Sequence, residues 1–263
     1  MGKSQPHSCT KCTQAGSPDT SSDAHDNTRG ALPIDFATAQ IDWLAHFRQG
    51  LREFSPPMAL IPNICLHGSG LRWDNPLLSK LRDSTDGVLD EAGWTGWGAA
   101  RVPEPEWSNI TMHALDLQEH GVGYYSINEC GAVGSENDSD LRRWIVGSYL
   151  LSKNQAAAVY ISGVQAYGWL LPDWSELGVP IGSPLSRAPY PVCPTGGSDC
   201  GVWQRQFSNG SVSVNAAAST TREVLLPPPK PSMCYYDVEG ERVTASRIVL
   251  HPLTASILTV GAC

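Results

Sequence analysis

Apolar positions along the chain follow two alternating rhythms. From Pro33 to Leu51, Phe36, Ala39, Ile41, Trp43, Leu44, Phe47 and Leu51 recur near a helical period. Pro56-Pro57 ends the helix this predicts, because proline cannot continue it. Met58 to Cys65 is then a continuous apolar run, predicted as a buried strand, followed by His67-Gly68. Residues 75–84 fit a short helix. The stretch Asp86-Gly87-Val88-Leu89-Asp90-Glu91-Ala92-Gly93-Trp94 reads as a second strand that stops at two carboxylates and enters a Gly/Trp loop containing Trp97. Trp107, Ile110, Met112, Leu115 and Leu117 predict a helix between Pro103 and Gly121. Gly123 to Glu129 is a third strand, again ending in an acid. Asp138 to Asn154 is an amphipathic helix with an acidic start, and Ala157 to Gly163 is a fourth strand.

Strands that alternate with helices and are apolar on both faces imply a parallel sheet wrapped by helices. An open doubly wound sheet and a β/α barrel both fit. No G-x-G-x-x-G follows a strand and no G-x-x-x-x-G-K-[ST] occurs, which favours the barrel over a nucleotide-binding sheet. Beyond about residue 170 the grammar changes to strict alternation. Gly201 to Phe207 and Ser211 to Asn215 flank an Asn209-Gly210 turn, the signature of a hairpin. Segments 223–226, 234–238, 242–250 and 256–260 predict further strands. The predicted organisation is a tail over 1–30 with almost nothing to bury, a β/α unit over 31–192, and a small antiparallel β-sandwich-like domain over 193–263.

Composition narrows the functional classes. A formal charge of −8 argues against nucleic acid or an anionic membrane as the main partner. No segment approaches the roughly 20 apolar residues of a membrane span, and residues 1–30 contain no apolar signal-peptide core. Nine tryptophans suit either core packing or a sugar-lined cleft. Cys193 and Cys200 flank a Pro/Gly/Ser loop and are candidates to close it as a disulfide. Cys9 and Cys12 lack two further ligands at zinc spacing, and His113 and His120 lack a third, so no metal or other cofactor is expected. Sequons occur at Asn109, Asn137 and Asn209. No G-x-S-x-G elbow or H-E-x-x-H is present.

The order of these segments carries a resemblance. A strand ending in Asn63 precedes D-G-x-L-x-E over 86–91, I-N-E over 127–129 and V-Y-I-S-G over 159–163. A W-x-R-x-F-x-N-G hairpin follows at Trp203, Arg205, Phe207, Asn209 and Gly210. Together they resemble the carboxyl-terminal half of TIM-barrel glycoside hydrolases, from loosely characterised glycosyl hydrolase families, with the β-domain that follows. The resemblance spans roughly residues 35–260. A complete barrel takes about 250 residues and eight strands. Only four strands are legible here, so the resemblance implies a partial (β/α) TIM barrel, about strands five to eight. It also implies a carbohydrate substrate, an extracellular setting for the parent family, and a missing amino-terminal half-barrel or a second copy as partner.

Cleavage of a glycosidic bond needs two carboxyl groups, one to protonate the leaving oxygen and one to attack the sugar or activate water. Barrel enzymes place such groups at the carboxyl ends of strands. Glu91 and Glu129 are the expected pair. Asp90 is the alternative to Glu91, since adjacent strand residues point to opposite faces; the family spacing, five positions after Asp86, favours Glu91. Asp86 itself, at the amino end of its strand, is expected to be structural. Asn63, Trp94, Trp97 and Tyr125 are the expected substrate-binding residues, with His67 a lesser candidate and Tyr160 a core residue. The function expected is hydrolysis of O-glycosidic bonds, the alternative being a non-catalytic carbohydrate-binding or structural remnant of such an enzyme.

Overall fold

The structure is a computed structural model that describes residues 32–66, 71–96, 100–129, 138–162, 175–192 and 201–263. Its first half contains α1 (Leu32–Arg52), α2 (Pro76–Asp83), β1 (Gly87–Asp90), a short hairpin of β2 (Thr95–Gly96) and β3 (Ala100–Arg101), α3 (Glu106–Glu119), β4 (Gly123–Glu129), α4 (Ser139–Ser152) and β5 (Ala157–Ser162). A 3-10 turn at Ser175–Leu177 follows. The second half is β6 (Tyr190–Pro191), β7 (Val202–Phe207), β8 (Gly210–Asn215), β9 (Arg222–Leu225), β10 (Met233–Tyr236), β11 (Arg242–Val243), β12 (Arg247–Leu250) and β13 (Thr254–Ala262).

The fold is mixed α/β, built on two different sheets. One is parallel, in the order β1-β4-β5, and the other is antiparallel, in the order β11-β10-β13-β8-β7-β6. A ribbon of β9 and β12 accompanies the second sheet. The parallel sheet is open, and the described residues form no closed barrel. The segment expected as the first strand joins β1 through a single bridge, Asn63 to Leu89. Its backbone still follows strand geometry: Pro62 accepts from the Leu89 amide at 3.0 Å, and Ile64 donates to the Leu89 carbonyl at 2.7 Å. Pro62 has no N–H to continue a ladder, which is why the pairing stays so short.

Local signals explain most of the elements. Asn75 caps α2, accepting from the Leu77 amide at 2.9 Å, with Pro76 at the first helical position. Asp138 caps α4 through the Asp140 and Leu141 amides. A two-residue turn at Ser208–Asn209, one position earlier than the predicted Asn209-Gly210, sets the β7–β8 register, Phe207 opposite Gly210 and Val202 opposite Asn215. The region 242–250 forms two short strands where one was predicted, separated by residues 244–246.

Helix α4 packs on β5 on one side and on β8 and β13 on the other. One apolar cluster therefore runs from Val88, Trp94, Ile110, Tyr124 and Ile145 through to Val212, Val214 and Ile257. Three indoles, those of Trp94, Trp107 and Trp144, are fully buried in it. Each indole N–H has a partner: Trp94 donates to Thr111 Oγ1 at 3.1 Å, Trp107 to Ser148 Oγ at 2.8 Å, and Trp144 to the Trp94 carbonyl at 3.0 Å. A buried indole needs such a partner, because an orphaned donor forfeits roughly 1–3 kcal/mol.

The β-unit is tied to α4 by Arg205 on β7. Its buried guanidinium donates to the carbonyls of Leu151 and Lys153 at the end of α4 and to those of Ser186 and Arg187. It also donates to Asn154 Oδ1. Helix carboxyl ends carry unpaired carbonyls and a partial negative charge, so a cation belongs there. A disulfide between Cys234 and Cys263 fastens the end of β13 to β10. The predicted Cys193–Cys200 bridge and the tail over 1–30 lie outside the described residues.

Candidate functional site

Strand alternation divides the parallel sheet into two chemically different faces. Val88, Asp90, Tyr124, Ser126 and Asn128 point toward α3 and α4 and are buried. Leu89, Tyr125, Ile127, Glu129 and Tyr160 lie on the other face and are only partly buried. In register, Leu89 sits opposite Tyr125, Tyr125 opposite Ala158, Ile127 opposite Tyr160, and Glu129 opposite Ser162.

Glu91 directly follows β1, and Glu129 ends β4. Pairing stops at Asp90 opposite Ser126. Continued by one residue, it sets Glu91 level with Ile127, two residues short of Glu129. β1 and β4 are adjacent strands, about 4.8 Å apart, so the two acids stand at neighbouring strand ends. Both side chains are half-buried. Asn63, on the segment that flanks β1 at the edge away from β4, donates from Nδ2 to Glu91 Oε2 at 2.8 Å. The Glu129 amide donates to Thr95 Oγ1 at 2.8 Å, which ties the end of β4 to the β2–β3 hairpin. Glu91, Glu129 and Asn63 are thus the predicted residues that the fold brings to one face and one end of the sheet.

Asp90 goes elsewhere. It is fully buried on the helix side, where its carboxylate accepts from Tyr124 Oη at 2.9 Å and from the Ala92 and Gly93 amides at 3.3 Å. Burial pushes its pKa up, against the pull of the Tyr124 hydroxyl and the Gly93 and Ala92 amides. Burial and the neighbouring Asp90 likewise raise the Tyr124 hydroxyl well above its ordinary range. This pair shapes the loop that carries Glu91, and Asp90 has no path to a substrate on the open face.

Trp94 is also corrected. Its ring is fully buried, its amide donates to Asn128 Oδ1 at 2.8 Å, and its carbonyl accepts from Trp144. Such a ring has no free face for a sugar. The loop can turn inward here because Gly93 adopts a φ of +48°, and a β-carbon at Gly93 would meet the Asn128 side chain at 2.4 Å. Tyr125 shares the face of Glu129 but lies back over the backbone of Gly87 and Gly123. Its ring atoms stand 2.8 Å from where a β-carbon at either glycine would be. That direction leads to the amino end of the strand, away from Glu129. Trp97 and His67 fall outside the described residues.

Asp86 is structural, as expected. It accepts from Arg48 at 2.6 Å, from Arg52 at 3.1 Å and from the Leu60 amide at 2.9 Å. Partial burial pushes its pKa up, but the Arg48 guanidinium, the Leu60 amide and Arg52 outweigh this and bring it to about 2. The Asn109 side chain is bound to the Leu71 carbonyl and the Trp73 amide, so this sequon position serves as a loop clamp.

A concave region away from the two carboxylates was not legible in the sequence. A groove of about 850 Å³ opens beside the amino end of α3, lined by Leu71, Arg72, Trp73, Asn109, Met112 and Trp203 among others. Glu91 and Glu129 do not line it. It joins Leu66 and residues 71–73 to Trp203 of the β-unit, a juxtaposition that no local pattern encodes. Trp203 packs against Trp107 at 5.9 Å between ring centroids and donates to Glu104. Half-exposed Trp73 is the freer of the two aromatic walls. No group of three His, Cys, Asp or Glu side chains among the described residues is arranged to hold a metal ion. No helix among them is long and apolar enough to cross a membrane.

Compared with protein-family models and with curated proteins, the sequence finds no match.

Proposed function

We propose that this chain is a glycoside hydrolase-like protein, a partial (β/α) barrel whose Glu91 and Glu129 form a carboxylate pair acting on an O-glycosidic bond. The observation that carries the reading is their joint position at the carboxyl ends of adjacent parallel strands, on one face, with Asn63 bonded to Glu91. In this reading one carboxyl protonates the leaving oxygen while the other attacks the anomeric carbon or activates water. Retention needs the carboxyls about 5–5.5 Å apart and inversion about 6.5–9.5 Å; side-chain reach from adjacent strands about 4.8 Å apart allows either spacing. The half-exposed apolar residues Leu89, Ile127 and Tyr160 support a partial barrel, because parallel sheets are normally covered on both faces. In a barrel, further strands from an amino-terminal half or another copy would cover them.

The test is release of reducing ends from a panel of oligo- and polysaccharides by the purified chain. Glu91→Gln and Glu129→Gln should each abolish release while the circular dichroism spectrum is unchanged. Undiminished release by either variant removes that residue from the pair.

A second reading is a non-catalytic carbohydrate-binding protein. The groove holding Trp73, Arg72 and Asn109 favours it, since an indole face with flanking polar groups suits a sugar ring. Under this reading polysaccharide binds without release of reducing ends, and Trp73→Ala weakens binding where Glu91→Gln does not.

A further inference from the structure

Helix α1 shows two faces. Ile41 is buried, Leu44 packs against the core, and Arg48 is bound to Asp86. On the other side a row of large apolar side chains is exposed: Phe36 by 63%, Trp43 by 59% and Phe47 by 44%. Phe54, in the turn after α1, is exposed by 58%, and Met58, whose amide bonds back to Leu51, by 52%. Steps of seven and four residues stay within about 20° of one helical line, so Phe36, Trp43 and Phe47 form a straight stripe. Ala39, Gln40 and Gly50 beside it are exposed and uncharged.

We infer that this stripe is the interface of a homodimer in which two α1 helices pack antiparallel. The reasons are area and symmetry. At roughly 150–250 Å² per large side chain, the exposed fractions come to roughly 550 Å² per copy. The pair would bury about 1,100 Å², close to the roughly 1,200 Å² at which stable interfaces begin, and the flanking small residues add to it. A patch of this size is at the upper end of what a monomer exposes, where such patches are often functional. The aromatic spacing 36, 43, 47, 54 reads the same from either end. A two-fold axis level with residue 45 therefore sets Phe36 against Phe54 of the other copy and Trp43 against Phe47, which is the self-complementarity a two-fold dimer requires. At its centre, the Trp43 and Phe47 rings are already stacked, with centroids 5.2 Å apart and planes 8° from parallel. Residues 1–31 offer Met1 as their one large apolar side chain, a poor cover for such a stripe. The inference is independent of the carboxylate pair.

Sedimentation equilibrium of the full chain tests it. The expected mass is twice the 28.3 kDa of one chain at micromolar concentration and above. Trp43→Glu combined with Phe47→Glu should give a monomer with an unchanged circular dichroism spectrum, because both rings are exposed, and with a melting temperature that no longer rises with protein concentration as the wild type's should. Orientation is read by a short bismaleimide. Phe36→Cys mixed with Phe54→Cys should cross-link well above the unsubstituted chain, whereas either variant alone should not. A wild-type chain that stays monomeric overturns the proposal and leaves the stripe to a different partner. So does a dimer that survives the double substitution, or Phe36→Cys cross-linking to itself.

Discussion

Asn63 holds Glu91 by one hydrogen bond, Nδ2 to Oε2 at 2.8 Å, and the two residues come from neighbouring segments joined by the Asn63–Leu89 bridge. Asn63 itself is exposed, so it contributes little packing. Its role in the proposed chemistry is to set the direction of the Glu91 carboxylate. A misplacement of about 1 Å at a reacting group costs about 100-fold in rate. Asn63→Ala is therefore expected to lower kcat by about 10- to 100-fold, while stability stays within about 0.5 kcal/mol, as for other surface changes. Steady-state kinetics and chemical denaturation measure the two effects separately. An unchanged kcat would show that Glu91 needs no such guide.

Asp90 and Tyr124 predict a change in stability. Tyr124→Phe leaves a buried carboxyl oxygen without its donor and is expected to cost about 1–3 kcal/mol. The pH dependence has a definite sign. An acid whose folded pKa is raised stabilises fully below its unfolded pKa of 3.8, and that contribution is lost as pH rises through the folded value. Asp90→Asn cannot ionise, so its melting temperature relative to wild type should climb as pH increases from 3.8 upward. A difference that is flat or falls with pH would mean that burial does not govern this carboxyl.

Both residues show what could and could not be read from the sequence. Alternation already separated Asp90 from Glu91, and β4, α4 and the β7–β8 hairpin lie close to their predicted places because each carries its own signal: an acid-ended apolar run, a capping Asp138, and an Asn-Gly pair one position from the observed Ser208–Asn209 turn. Which face of β1 would be covered was not encoded locally, since it depends on where α3 and α4 pack. Trp94 was expected at a sugar site because it follows an acid in a glycine-rich loop. Its burial is fixed by Asn128, Thr111 and Trp144, residues 17 to 50 positions away. The Cys234–Cys263 bridge was equally hidden, since spacing alone does not determine pairing among eight cysteines.

His113 is buried in α3 with both ring nitrogens lacking a hydrogen-bond partner. Burial lowers its pKa from 6.5 to about 4, against the pull of Asp116, with Arg82 lowering it further. A base depressed in this way stays neutral in the fold but takes a proton when unfolded. Stability is therefore lost as pH falls below 6.5, and the loss levels off near 4 at about 3 kcal/mol. His113→Leu removes both the orphaned nitrogens and the titration. Its melting temperature should equal or exceed that of wild type at neutral pH, and the advantage should widen from pH 6.5 to pH 4. A constant difference across that range would place the acid sensitivity elsewhere.

Arg205 gives the strongest test of how the two sheets are held together. Its guanidinium spans α4, the segment at Ser186–Arg187 and Asn154, and no carboxylate is among these partners. Burial lowers its pKa from 12.5 to about 10, which still leaves it charged at neutral pH. The carbonyls at the end of α4 supply the compensating negative charge. Lysine keeps the charge but has three donors on one atom and cannot reproduce the planar fork. Arg205→Lys should therefore destabilise the fold by several kcal/mol, since each buried carbonyl left unpaired costs about 1–3 kcal/mol. Hydrogen exchange locates the effect: amides at the end of α4 and along β7 should lose protection before those of β1 and β4. If protection falls evenly through both sheets, α4 and the antiparallel sheet unfold together and Arg205 is not the joint between them.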